Sequence, residues 1–224
     1  SKIIDNVDMS NDGFPFMACS DVTVCGGTPG RLFRISFSGE LAYEVAVPAR
    51  YGDALIREII SAGEEFNITP YGTEALGVMR IEKGHVTGAE LNGQMTAFNI
   101  NMNNMISTKK DSIGSVLSRR EVMVADDQVR LVGVKTIKKS DSISSGAHFL
   151  AENDKPTTQN DQGWITSVCY SPHFEQHIGL GFLERGHERH GEVLRAWDGI
   201  RGTDVLVEIV SSHMYDPEGG LQRG

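Results

Sequence analysis

The 224-residue sequence has little cysteine: Cys19, Cys25 and Cys169 are odd in number and widely spread. Three such residues provide neither a disulfide framework nor a Cys-x-x-Cys metal site. Cationic charge is also short, with 21 Lys and Arg against 30 Asp and Glu and a formal net charge of −9. The sequence pI is near 5.2. This balance argues against general nucleic-acid binding, which needs excess cations to displace counterions from phosphates. It equally disfavours an anionic membrane surface. No apolar run approaches the roughly 18–20 residues that span a bilayer. The start, Ser1-Lys2-Ile3-Ile4-Asp5-Asn6, lacks the apolar block and small-residue cleavage site of a secretory signal. What is present, 39% hydrophobic and 23% charged residues, suffices for a core. The expectation is a soluble, cytoplasmic chain of one large domain or two small ones.

Hydrophobic periodicity organises the chain. Phe33, Ile35 and Phe37 alternate with Arg34 and Ser36, predicting a half-buried strand over 31–37. Ser38-Gly39-Glu40 reads as a bend, and Leu41–Val47 as a second extended segment stopped by Pro48. From Tyr51 the period becomes helical, with Leu55, Ile59, Ala62 and Phe66 on one face. Pro70 marks the stop, and residues 72–82 form a second predicted helix closed by Gly84. A third short helix is expected over Asp111–Arg120, capped by Asp111, with Ile113, Val116 and Leu117 inward. Beyond Glu121 come short β-rich runs at 129–137, 165–170, 178–183, 192–197 and 205–210. Such spacing predicts a small barrel or sandwich. The domain boundary is expected at 121–127, dividing the chain into 1–122 and 123–224.

Few residues carry chemistry on their own. His173/His177 and His187/His190 have helical metal-ligand spacings. Both pairs fall in predicted loops or strands, however, and read as ordinary surface histidines. Gly179-Leu180-Gly181-Phe182-Leu183-Glu184 opens like a dinucleotide fingerprint but has Glu at the third glycine. It reads as a buried strand. The segment Phe37-Ser38-Gly39-Glu40-Leu41-Ala42-Tyr43-Glu44 differs, because it sets an aromatic and two carboxylates around a glycine bend. A carboxylate accepts paired N–H donors from an amidine-like edge such as a pterin's. By itself the pattern is also that of solvated strand-end charges.

Residues 37–44 resemble the Tyr-Thr-Gly-Glu-x-Gly-x-Glu signature of the aminomethyltransferase family, the glycine cleavage T-protein and its relatives. Met79-Arg80-Ile81-Glu82-Lys83-Gly84 is similar to that family's Leu-Arg-Leu-Glu-x-Gly helix end. Gly163-Trp164-Ile165-Thr166-Ser167-Val168 with Ser171-Pro172 is similar to its Gly-x-Val-Thr-Ser-Gly…Ser-Pro block. Within the family, residues 35–47, 71–86, 107–111, 146–150 and 216–219 resemble the C-terminal region of sarcosine oxidase α subunits.

The resemblance implies an α+β fold: a ferredoxin-like α+β part followed by a small C-terminal β-barrel domain, a partial aminomethyltransferase fold. It implies tetrahydrofolate as ligand, with Glu44 anchoring the pterin edge and Phe37, lacking the usual tyrosine hydroxyl, lining the pocket. A T-protein pocket arginine falls on Leu76, which suits the oxidase branch. The family's aspartate that assists folate chemistry lies upstream, so the chain is expected to begin inside the folate module. No catalytic residue or metal ligand is therefore expected, and the piece alone is expected to be inactive. Arg80 and Glu82 are expected to be structural, tying the helix end to the neighbouring domain. The implied function is to position tetrahydrofolate for the one-carbon unit released when an N-methyl amine is oxidatively demethylated. Partners are the other sarcosine oxidase subunits, with flavin and NAD in those subunits or in regions outside this chain. Two alternatives stand beside it: a T-protein-like fragment acting on a carrier-bound aminomethyl group, and a non-catalytic subunit-docking module.

Overall fold

A computed structural model describes residues 2–224. They pack as two compact units, one reaching to Met79 and including Glu218–Gly224, the other Arg80–Pro217.

The first unit is built on an antiparallel sheet of β1 (Cys19–Val24), β2 (Thr28–Phe33) and β3 (Glu44–Ala46), in that order. The β1–β2 hairpin turns through Cys25 and Gly26, both at positive φ (50° and 73°), a backbone that glycine-containing hairpins favour. One face of the sheet meets α1 (Gly52–Gly63) in a core of Ile4, Phe14, Val22, Val24, Leu32 and Leu55. Helix α1 presents Leu55 and Ile59 to that core, as its periodicity predicts. Arg34 is fully buried and donates to the carbonyls of Phe14 (2.7 Å) and Arg223 (2.6 Å), fixing the returning C-terminal segment. That segment ends in the short α3 (Gly220–Arg223).

Helix α2 spans Thr73–Lys83, and its last residues, Arg80–Lys83, are buried and belong to the second unit. The second unit centres on a closed antiparallel barrel of β4 (Val129–Thr136), β5 (His148–Leu150), β6 (Gly163–Ser171), β7 (Gln176–Glu184), β8 (Val193–Asp198) and β9 (Thr203–Val210). Their order around the barrel is β4-β7-β6-β5-β8-β9. Closure leaves no unpaired edge for another chain to extend. Val132, Val134, Phe149, Ile165, Leu194, Val207 and Ile209 fill the interior. Gly179 and Gly181 lie within β7, where a Cβ would press on the carbonyls of Ser167 and Trp164 at 2.6 and 2.7 Å. The fingerprint-like run is thus a buried strand whose glycines allow close strand approach.

One expectation changes. The helix over Asp111–Arg120 does not form; only a 3-10 turn at Leu117–Arg119 is present, with Ile113, Val116 and Leu117 exposed. Gly114 sits at φ 87° in mid-segment. Lys109 and Lys110 stand at what would be the positive end of the helix dipole. With no core to meet its apolar face, so short a helix has nothing to hold it. By packing, the chain divides at Met79/Arg80, which is a division of contacts and not of family domains. Residues 96–101 already line β4: Asn99 bonds Val129 and Leu131, and Asn101 bonds Leu131. The change of sequence pattern near 121–127 is therefore not a change of packing.

Candidate functional site

The signature segment lies in the first unit. After β2 the backbone leaves the sheet through Arg34, and Ser36-Phe37-Ser38-Gly39 forms the bend. The Ser36 hydroxyl accepts the Gly39 N–H at 3.0 Å, and Gly39 takes φ 89°. That positive φ is why glycine stands there. Side chain–backbone bonding of this kind closes serine turns. Phe37 is 38% exposed beside the buried Ser38. The segment then regains the sheet at β3, where Glu44 pairs with Phe33.

Strand alternation sets where Glu44 points. Val45 and its neighbours Tyr43 and Val47 pack on the core, with the Tyr43 hydroxyl donating to the Met9 carbonyl at 3.3 Å. Glu44 therefore belongs to the opposite face, in a cross-strand row with Phe33 and Cys19. It is exposed and has no hydrogen bond or ion pair among the described residues. All four of its acceptor positions are open to paired N–H donors. The residues fit the demand a pterin edge would make. Leu76 lies half-buried on α2.

The second unit holds a different kind of polar cluster. Arg80 donates to Glu90 (3.2 Å), Ser167 (2.7 Å) and the His85 carbonyl (3.3 Å). Glu90, fully buried, also accepts from Thr166 (2.5 Å), Ser167 (2.6 Å) and the Thr87 N–H (2.8 Å). Burial alone would raise the Glu90 carboxyl. The hydrogen bonds from Ser167, Thr166 and Thr87, with the Arg80 charge, outweigh it and hold the group below its ordinary range. Glu82 takes the Ser171 hydroxyl at 2.5 Å, and Lys83 pairs with Asp216 at 3.0 Å. Burial beside Glu82 pushes the Cys169 thiol up to about 12. The cluster is buried and densely hydrogen-bonded, and it joins the Arg80–Lys83 turn to β6 within the second unit. Arg80, Glu82 and their partners all lie within the second unit. Glu90 was not foreseen. Thr166 and Ser167 stood in the quoted Gly-Trp-Ile-Thr-Ser-Val block, yet nothing in their spacing points to a carboxylate some 76 positions away.

The histidine pairs separate. His173 packs edge-on against Phe174 and Tyr215, and His177 against Tyr170. His187 lies beside Glu188 at 3.6 Å. Among the described residues no three His, Cys, Asp or Glu side chains converge as a metal site. No helix among them is long and apolar enough to cross a membrane.

Sheet, signature turn and six-stranded barrel together define a class. The GCVT N-terminal domain matches residues 1–110, and the glycine cleavage T-protein C-terminal barrel domain matches residues 130–216. The chain belongs to the glycine cleavage T-protein (aminomethyltransferase) family. It is 42% identical over 97% of its length to the sarcosine oxidase subunit alpha of Rhizobium meliloti, and 37% identical over its whole length to that of Corynebacterium sp. strain U-96. It spans only 22% and 23% of those two proteins. The aminomethyltransferase of Saccharopolyspora erythraea is 26% identical over 82% of the chain, which covers 48% of that enzyme. In fold it matches the crystal structure of glycine cleavage system aminomethyltransferase T from Bartonella henselae, with a TM-score of 0.72 at 18% identity. That match covers 84% of this chain and 50% of the other.

Proposed function

We propose that this chain is the folate-binding C-terminal portion of a cytoplasmic sarcosine oxidase α-subunit-like protein, built of family domains at 1–122 and 123–224. Its role is to position tetrahydrofolate to accept the one-carbon unit released by oxidative demethylation of an N-methyl amine. The observation that carries this reading is the 42% identity to a sarcosine oxidase subunit alpha across nearly the whole chain. Its partners are the other subunits of such an oxidase, which with the rest of the long subunit supply flavin and NAD. Tetrahydrofolate, when bound, supplies the nitrogens that take up the one-carbon unit.

The chain's own residues bind and orient. Glu44 accepts the paired N–H donors of the pterin edge, and its open sheet-face position supports that role. Phe37 offers a ring to the pterin. Holding the acceptor in place shortens the search of a reactive one-carbon species that water would otherwise consume. No proton-transfer residue is assigned within the chain.

Calorimetric titration of the chain with tetrahydrofolate tests this. Saturable binding that Glu44→Ala weakens at least tenfold supports the reading. Absence of binding in both proteins favours the subunit-docking alternative. Binding that Glu44→Ala leaves untouched removes the pterin assignment.

A further inference from the structure

The barrel carries a pocket that the folate reading leaves unused. On its outer wall the registers align Trp164 of β6, His148 of β5 and Trp197 of β8 in one cross-strand row. The neighbouring Phe149 faces the interior, so the row belongs to the outside. Leu150, two residues on, shares its side. Residues 151–162 arch over this floor as an irregular connection. A long connection without regular structure inside a compact unit is commonly functional.

This arch is fixed at several points. Arg195, itself clamped by Asp204 at 3.0 and 2.5 Å, donates to the Asp154 carbonyl at 2.6 Å. Asn160 bonds the Lys155 carbonyl at 3.0 Å, and the Gln162 N–H bonds Phe149 at 3.0 Å. Asp161 accepts the Gly163 N–H on one oxygen (3.1 Å) and meets His148 Nδ1 with the other (2.9 Å). Between arch and floor lies a cavity of about 400 Å³, lined by His148, Leu150, Pro156, Thr157, Thr158, Asp161 and Trp197. That volume is within the range of small-molecule sites.

The lining defines the ligand's chemistry. Leu150, Pro156 and Trp197 supply apolar surface. Asp161 spends two of about four acceptor positions on Gly163 and His148, which leaves acceptor capacity. With Nδ1–H donating to Asp161, His148 presents Nε2 as a further acceptor. No lysine or arginine is among the lining residues, and the charge of nearby Arg195 is already met by Asp204, so the lining offers an anion no cation. A tryptophan is the strongest aromatic partner of a cation. We propose that this pocket is a second small-molecule site, taking an organic ammonium ion with a small apolar body. The ammonium N–H groups bond Asp161 and His148 Nε2, and the body lies along Trp197 and Pro156.

The full 224-residue chain is titrated with three probes of one shape: benzylammonium, benzyl alcohol and benzoate. Tryptophan emission is the readout, since both tryptophans, Trp164 and Trp197, flank His148. The expected result is saturable change with benzylammonium at least fivefold tighter than with benzyl alcohol, and none with benzoate. Asp161→Asn should weaken the ammonium at least fivefold. The order of the three probes on the unaltered chain decides the matter even where a variant folds poorly. Equal response to the alcohol or to benzoate, or no response to any probe, overturns the proposal.

Discussion

The two units treat charge in opposite ways. In the barrel unit, Arg80 and Glu90 are removed from water and each is met by several hydrogen-bond partners. In the first unit, Glu44 stands exposed on a three-stranded sheet and is met by none among the described residues. A buried, fully satisfied charge is costly to disturb and specifies one arrangement, because a lone partner left behind cannot be solvated. An exposed charge costs little to hold and remains available. The difference separates a charge that keeps the fold from one that the fold leaves open to solvent.

The largest break should come from Arg80→Met, which leaves Glu90 buried without its cation. A loss of about 3–5 kcal/mol is expected for a broken buried pair, read by urea unfolding with the barrel tryptophans as probe. A loss no larger than that of a surface substitution would contradict the assignment. Acid should act on the same cluster. The folded Glu90 carboxyl is held below its ordinary range, so the unfolded chain takes up the proton first. The stability it contributes is present near neutrality and is lost as pH falls through the acidic range. Melting temperature should therefore drop on acidification in the native chain, and Glu90→Gln should flatten that dependence. Next in size is Gly39→Ala, which forces an alanine to φ 89°. It should cost about 1 kcal/mol, seen as a lowered melting temperature. Smallest is Glu44→Ala, expected to move stability by less than about 0.5 kcal/mol, measured in the same melts.

Much of this contrast was legible in the residues. Helix α1 and five of the six barrel strands follow from period alone, because each buries a continuous apolar face. The β5 strand, only His148–Leu150, is too short to show a period. Strand β1 escaped notice because its apolar alternation is interrupted by Ser20 and Asp21 on an exposed edge. The helix expected at Asp111–Arg120 had the pattern but no core to receive it. Phe37 and Glu44 were singled out through the signature, and strand parity explains why Glu44 faces away from the core while Val45 enters it. Glu90 stayed hidden, since only the folded chain brings it to Thr166 and Ser167.

The central claim is that the Glu44 carboxylate, not merely the shape around it, receives the pterin edge. Tetrahydrofolate affinity of Glu44→Gln measures this most directly, because glutamine keeps the size and replaces one acceptor oxygen with a donor. The account predicts at least a tenfold rise in Kd with an unchanged melting temperature. Equal Kd values for the native and Glu44→Gln chains would contradict it.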